Sequence, residues 1–120
     1  MIRSKQKGAR AERALRDELR TAGWMSERRG QQFKGTPDSP DVICEELDCF
    51  RFECKHRERG NDPFAFMEQA ARDAGAQKIP IVAMRKNNHA FLVVLQMADF
   101  FAMLKSCDLP ALASRERRTT

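Results

Sequence analysis

Residues 50–58 read FRFECKHRE, and within them Glu53 and Lys55 are the pair whose types and spacing could do chemistry. Phe50, Phe52 and Cys54 alternate with polar residues at a period of two, which predicts a strand with one apolar face. The other face carries Arg51, Glu53 and Lys55, with the last two about 7 Å apart. A carboxylate and an ammonium so placed can act on one reacting atom; they can equally be a solvated charged face. Asp41 opens a neighbouring strand after Pro40, in SPDV. Glu12 falls on a first helix, about 20° from Leu19 at the edge of the apolar stripe. Adjacent strands lie about 4.8 Å apart, so Asp41 and Glu53 can reach one cation when their strands pair in register. A carboxylate pair with few nitrogen ligands suits a cation that prefers oxygen, Mg²⁺ or Mn²⁺. Phosphodiester cleavage needs a polarised phosphate and a deprotonated water. A lysine beside the metal can orient or deprotonate that water, or stabilise charge in the transition state.

Those residues have to be positioned by a small number of elements. SKQKGARAERALRDELRTAG, residues 4–23, predicts a helix capped at Ser4 and stopped at Gly23, with Ala11, Leu15, Leu19 and Ala22 as its buried stripe. WMSERR predicts a short strand, and GQQFKGTPDSP an irregular loop. DVICEE and DCFRFECKHR predict a hairpin turning through Glu46, Leu47 and Asp48. NDPFAFMEQAARDAG predicts a second helix capped at Asn61 or Asp62, with Pro63 in the first turn and Gly75 at the exit. KIPIVAMRK and HAFLVVLQ predict two apolar strands joined at Asn87-Asn88, and MADFFAMLKS a closing helix whose apolar residues are mostly core, with some at an interface. The order αβββαββα requires a crossover and hence a parallel strand pair, so the fold class is α/β with a mixed sheet flanked by helices.

The chain has 120 residues, enough for one domain with a modest core. That domain is expected over residues 1–112, followed by a flexible basic tail, 113–120. Apolar residues at 42% and charged residues at 32% exclude a disordered chain. The N-terminus has no apolar run and no window approaches a membrane span, so the expected location is the cytoplasm, without membrane association. Cys44, Cys49, Cys54 and Cys107 form no CxxC and no zinc-type cluster; the three in strand-like segments are expected to be free, small, buried hydrophobes rather than disulfide partners. His56 and His89 are far apart in sequence and suggest no metal pair. Residues 1–40 carry a balance of +5 and residues 41–112 one of −2, a distribution suited to a polyanionic partner.

The set of Glu12, SPDV and FECK resembles the PD-(D/E)xK signature of the restriction-endonuclease-like nuclease superfamily. More narrowly, KGARAERALRDEL, Arg28, Asp41, FECK and KIPIVAMRKNNHAFLVVL resemble the archaeal Holliday junction resolvases and their phage-type relatives, over about residues 5–96. The resemblance implies a restriction-endonuclease-like mixed sheet in the order given above, and a homodimer that cuts four-way DNA junctions with a divalent metal. It implies Asp41 and Glu53 as metal carboxylates, with the main-chain carbonyl of Cys54 as a further ligand. It makes Lys55 the catalytic lysine and Glu12 the helix-one acid that supports the metal or its water. Arg13 and Arg28 match residues that contact the phosphate backbone; Lys7, Arg29 and Lys34 extend that basic set. Ser39 either holds a phosphate or caps the loop. The second helix fits the phage-type relatives better, where Gln69 lies near the site or simply on the surface. A flap, nick or plain-duplex endonuclease on the same scaffold is the alternative, and a non-catalytic, structure-selective DNA-binding protein is another.

Overall fold

The computed structural model describes residues 4–28 and 42–114, and among them the side chains of 8–26 and 42–112. Helix α1, Ser4–Thr21, is followed by strands β1, Glu27–Arg28, and β2, Val42–Ile43. A 3-10 turn at Glu45–Leu47 leads into β3, Phe50–His56. Then come helix α2, Pro63–Ala74, strands β4, Ile79–Arg85, and β5, Leu92–Val94, and helices α3, Met97–Ser106, and α4, Leu109–Ser114. The five strands form one sheet in the order β1-β2-β3-β4-β5. β3 and β4 are parallel, from Phe50 opposite Ile79 to His56 opposite Arg85, and the other pairings are antiparallel. No helix among the described residues is long and apolar enough to cross a membrane.

Helix α1 lays its stripe on one face of this sheet. Leu15 is buried with Val42, Cys44, Phe52, Ile81 and Ala83, and Leu19 packs against the same cluster. Burial of side chains such as Leu15 and Phe52 contributes about 1.5–3 kcal/mol each. The chain leaves α1 through Gly23, whose φ of 104° is a left-handed conformation that only glycine adopts without strain.

Helix α2 supplies the crossover and covers the opposite face. Its entry is set by Asp62, whose Oδ1 accepts from the amides of Phe64 and Ala65 at 3.0 and 3.2 Å, and by Pro63 in the first turn. Phe66, Met67 and Ala70 then pack on Val82 of β4. Because successive residues of a strand face opposite ways, Ile81 and Val82 send their side chains to the two separate clusters.

Several expectations are revised. β2 stops at Ile43, because Cys44 leads directly into the 3-10 turn and the backbone of Leu47 bonds to Cys44 instead of a neighbouring strand. β5 is confined to Leu92–Val94; the preceding turn takes Asn88 to a φ of 63° as the Asn-Asn pair allows. Met97–Ser106 does not close the chain, since α4 follows it and runs past residue 112 to Ser114. Nor is α3 core: none of its residues is buried, and Met97, Phe100 and Phe101 are exposed. Cys44 is buried as expected, whereas Cys49 and Cys107 are exposed; all four thiols are free.

Candidate functional site

Strand β3 sits in the middle of the sheet, and its charged face points toward α2. Arg51 and Glu53 are each only 6% exposed. That burial overturns the solvated-face reading, because an unpaired buried carboxylate is strongly disfavoured. Arg51 Nη1 pairs with Glu53 Oε1, and the same nitrogen stands 3.9 Å from Asp73 Oδ2 on the last turn of α2. Sequence reasoning gave Arg51 no separate role. The period of two placed it on Glu53's face, but its burial depends on α2 lying overhead, which alternation within one strand does not encode. Beside it a cavity of about 630 Å³ opens between β2 and the exit of α2, lined by Ile43, Arg51, Asp73 and Lys78 among others.

Two residues further along, Lys55 is half-buried and held from two sides. Its Nζ donates to Gln69 Oε1 at 3.2 Å and lies 5.4 Å from the centre of the Phe66 ring. The guanidinium of Arg57 lies 5.2 Å from the same ring. Phe66 is buried, so one fixed aromatic orients two cations. Gln69, itself exposed, is therefore beside Lys55. An ammonium has three N–H donors, so the bond to Gln69 leaves Lys55 donors for another acceptor.

The remaining expected residues fall into three groups. Asp41, Arg29, Lys34 and Ser39 lie outside the described residues, as do the side chains of Lys7 and Arg28. Arg28 is described as backbone in β1, opposite Val42. Arg13 is exposed on α1, and Glu12 is half-buried next to Ala11. Glu12 belongs to the helix that covers the face of the sheet opposite to Glu53. The structure thus brings Glu53, Arg51, Lys55 and Gln69 together under α2. Among the described residues no group of three or more His, Cys, Asp or Glu side chains could hold a metal ion. The chemistry of the donors nonetheless fits a hard cation: Glu53 offers carboxylate oxygens and already carries a positive group against one of them. His56 faces the other way, toward Asn87 Oδ1 at 2.9 Å.

Against this geometry, the model of a known family described as "Phage putative PDDEXK endonuclease" matches residues 3–114. The chain belongs to that PDDEXK endonuclease family. Among solved structures it is similar to Hjc, a Holliday junction resolvase from the archaeal hyperthermophile Archaeoglobus fulgidus. The two share 23% identity over 72% of this chain and 73% of that one, with a TM-score of 0.52. The likeness is one of fold, the restriction-endonuclease-like mixed sheet with flanking helices. No curated protein matches the chain. As a PDDEXK nuclease the protein takes nucleic acid as substrate, and nucleases of this kind generally use divalent metals. Its sequence contains an E-x-K triplet at Glu53-Cys54-Lys55, on the strand segment described above.

Proposed function

We propose that this PDDEXK nuclease is a divalent-metal-dependent endodeoxyribonuclease that resolves branched DNA, four-way junctions above all, as a homodimer in the cytoplasm of a prokaryotic or phage-infected cell. The single observation that carries the catalytic part is the arrangement on β3: Glu53 buried beside a cation, and Lys55 two residues on, with its ammonium fixed by Gln69 and Phe66. Asp41 is taken as the second carboxylate: it immediately precedes Val42 in the sequence, and Val42 lies opposite Phe52, the residue before Glu53.

On this reading Asp41, Glu53 and the main-chain carbonyl of Cys54 would hold Mg²⁺ or Mn²⁺. The cation, when bound, offsets negative charge at the scissile phosphate and makes a neighbouring water more acidic. Lys55 donates a hydrogen bond to a phosphate oxygen or to the attacking water, and Gln69 keeps its ammonium from swinging away. With the cation bound, Glu53 would be shared between it and Arg51, which also has Asp73 close by. Glu12, on the helix over the other face of the sheet, would act as the supporting acid from outside the Glu53–Lys55 group, and Lys7, Arg13, Arg28, Arg29, Lys34 and Ser39 contact the DNA backbone.

Branched DNA is favoured by the similarity in fold to a Holliday junction resolvase. Two cuts on opposed strands call for two sites, which a twofold dimer supplies. Leu92, Val93, Met97 and Phe101 are all more than half exposed, along the edge strand and α3, and offer apolar area for a second copy.

The test is cleavage of matched synthetic substrates (four-way junction, flap, nicked and linear duplex) with Mg²⁺, Mn²⁺ or EDTA, beside Glu53→Gln. Paired symmetric nicks in the junction, dependent on metal and lost in the variant, are expected. Preferential cutting of flap or nicked DNA would replace junction resolution by the alternative endonuclease activity. Binding without metal-dependent cutting of any substrate would overturn the catalytic assignment.

A further inference from the structure

The basic residues assigned to DNA so far lie in the N-terminal third, yet a second group of cations stands at the C-terminal ends of β3 and β4. Arg57 and Arg59 follow β3, Arg85 ends β4 and Lys86 follows it, with the Arg57 amide donating to the Arg85 carbonyl at 3.2 Å. Arg57, Arg59 and Lys86 are exposed. The acids of this stretch are engaged elsewhere. Glu58 accepts from the Asn87 amide at 2.7 Å and stands 3.6 Å from His56 Nε2, and Asp62 caps α2. None of the salt bridges among the described residues involves Arg57, Arg59, Arg85 or Lys86.

Two of these cations are also held in place. Arg57 lies on the ring of Phe66 that also carries Lys55, and Arg85 lies 5.0 Å from the centre of the Phe91 ring. A cavity of about 310 Å³ is lined by Asn61, Met84, Arg85, Lys86, His89 and Leu92 among others.

Resting on the nuclease reading above, we infer that this end of the sheet is a phosphate track for the DNA strand that lies across Lys55. Lys55 and Arg57 are separated by about 7 Å along the strand, close to the axial rise of two nucleotides at about 3.4 Å each. Arg57 and Lys86 neutralise successive phosphates beyond the scissile one. Such contacts set register without reading sequence.

The test is fluorescence anisotropy of a labelled junction and a labelled duplex over a salt series in EDTA, with the wild type, Lys86→Gln and Arg57→Gln/Lys86→Gln. Each phosphate contact removed lowers the slope of log K against log salt by about one. The expected result is a loss of about one for the single variant and about two for the double, equal on both DNAs, with melting temperatures unchanged. Lys86 is on an exposed turn, so the single variant reads the track even where Arg57 proves to matter for folding. An unchanged slope in both variants would overturn the track. Metal-dependent cutting by the wild type, measured on the same DNA, keeps the two questions apart: cutting with an unchanged slope sinks only the track, and neither binding nor cutting sinks both.

Discussion

On the α1 face of the sheet, Leu15, Val42, Cys44, Phe52, Ile81 and Ala83 close on one another, with no charge among them. On the α2 face, Phe66, Met67, Ala70 and Val82 do the same over β4, but on β3 beside them stand Arg51, Glu53 and Lys55. Both faces are cut from the same seven-residue strand. Placing Arg51 and Glu53 in a buried layer sets desolvation against their mutual attraction, and buried pairs of this kind are commonly no better for stability than apolar residues of the same volume. One face therefore holds the fold, and the other gives up apolar packing to keep a carboxylate and an ammonium at fixed positions.

The contrast can be broken most sharply on the charged face. Glu53→Gln, which keeps an acceptor for Arg51, is expected to lower cleavage about 10³-fold while leaving the melting temperature nearly unchanged. Lys55→Met is expected to cost about 10²-fold, read in single-turnover assays at saturating DNA. Arg51→Met, by contrast, leaves Glu53 buried without the guanidinium beside it and is expected to lose about 3–5 kcal/mol in urea unfolding. Adding Glu53→Leu to that variant sharpens the point. The double variant should regain most of the loss and be inactive, and a double variant as unstable as the single one would mean that the pair stabilises the fold outright.

Much of this was readable in advance, and the parts that were not share a cause. The period of two in FRFECKH separates the core side of β3 from its charged side correctly, and Asp62, Pro63 and Gly75 bound α2 where the capping chemistry puts them. The short strands were not legible in their lengths. DVICEE has strand-like residues up to Cys44, but whether a residue stays in a strand depends on a neighbour offering a ladder, and beyond Ile43 none does. Phe100 and Phe101 looked like core because their apolar character was visible and their lack of a covering layer was not. For the site, residue types pointed to Glu53 and Lys55, while Arg51 and Phe66 come from what α2 brings against β3.

The apolar face offers the smaller effects that complete the comparison. Leu15→Ala is expected to lower stability by about 2–4 kcal/mol through the cavity it leaves, with cleavage unchanged at temperatures where the variant is folded. Asp62→Ala, removing the α2 cap, is expected to cost about 1 kcal/mol in the same unfolding measurement.

β3 pairs along its whole length with β4 and, among the described residues, at Phe52 with β2, and its parallel ladder to β4 joins segments on either side of α2. Amides in such a central strand exchange with solvent only when the whole domain opens, whereas those of the turn at 87–89 exchange through local fraying. The main chain that carries Glu53 and Lys55 thus belongs to the last part of the molecule to come apart. Accommodation of differently shaped substrates then falls to the rim of the sheet, while the spacing between carboxylate and ammonium is as durable as the native state itself.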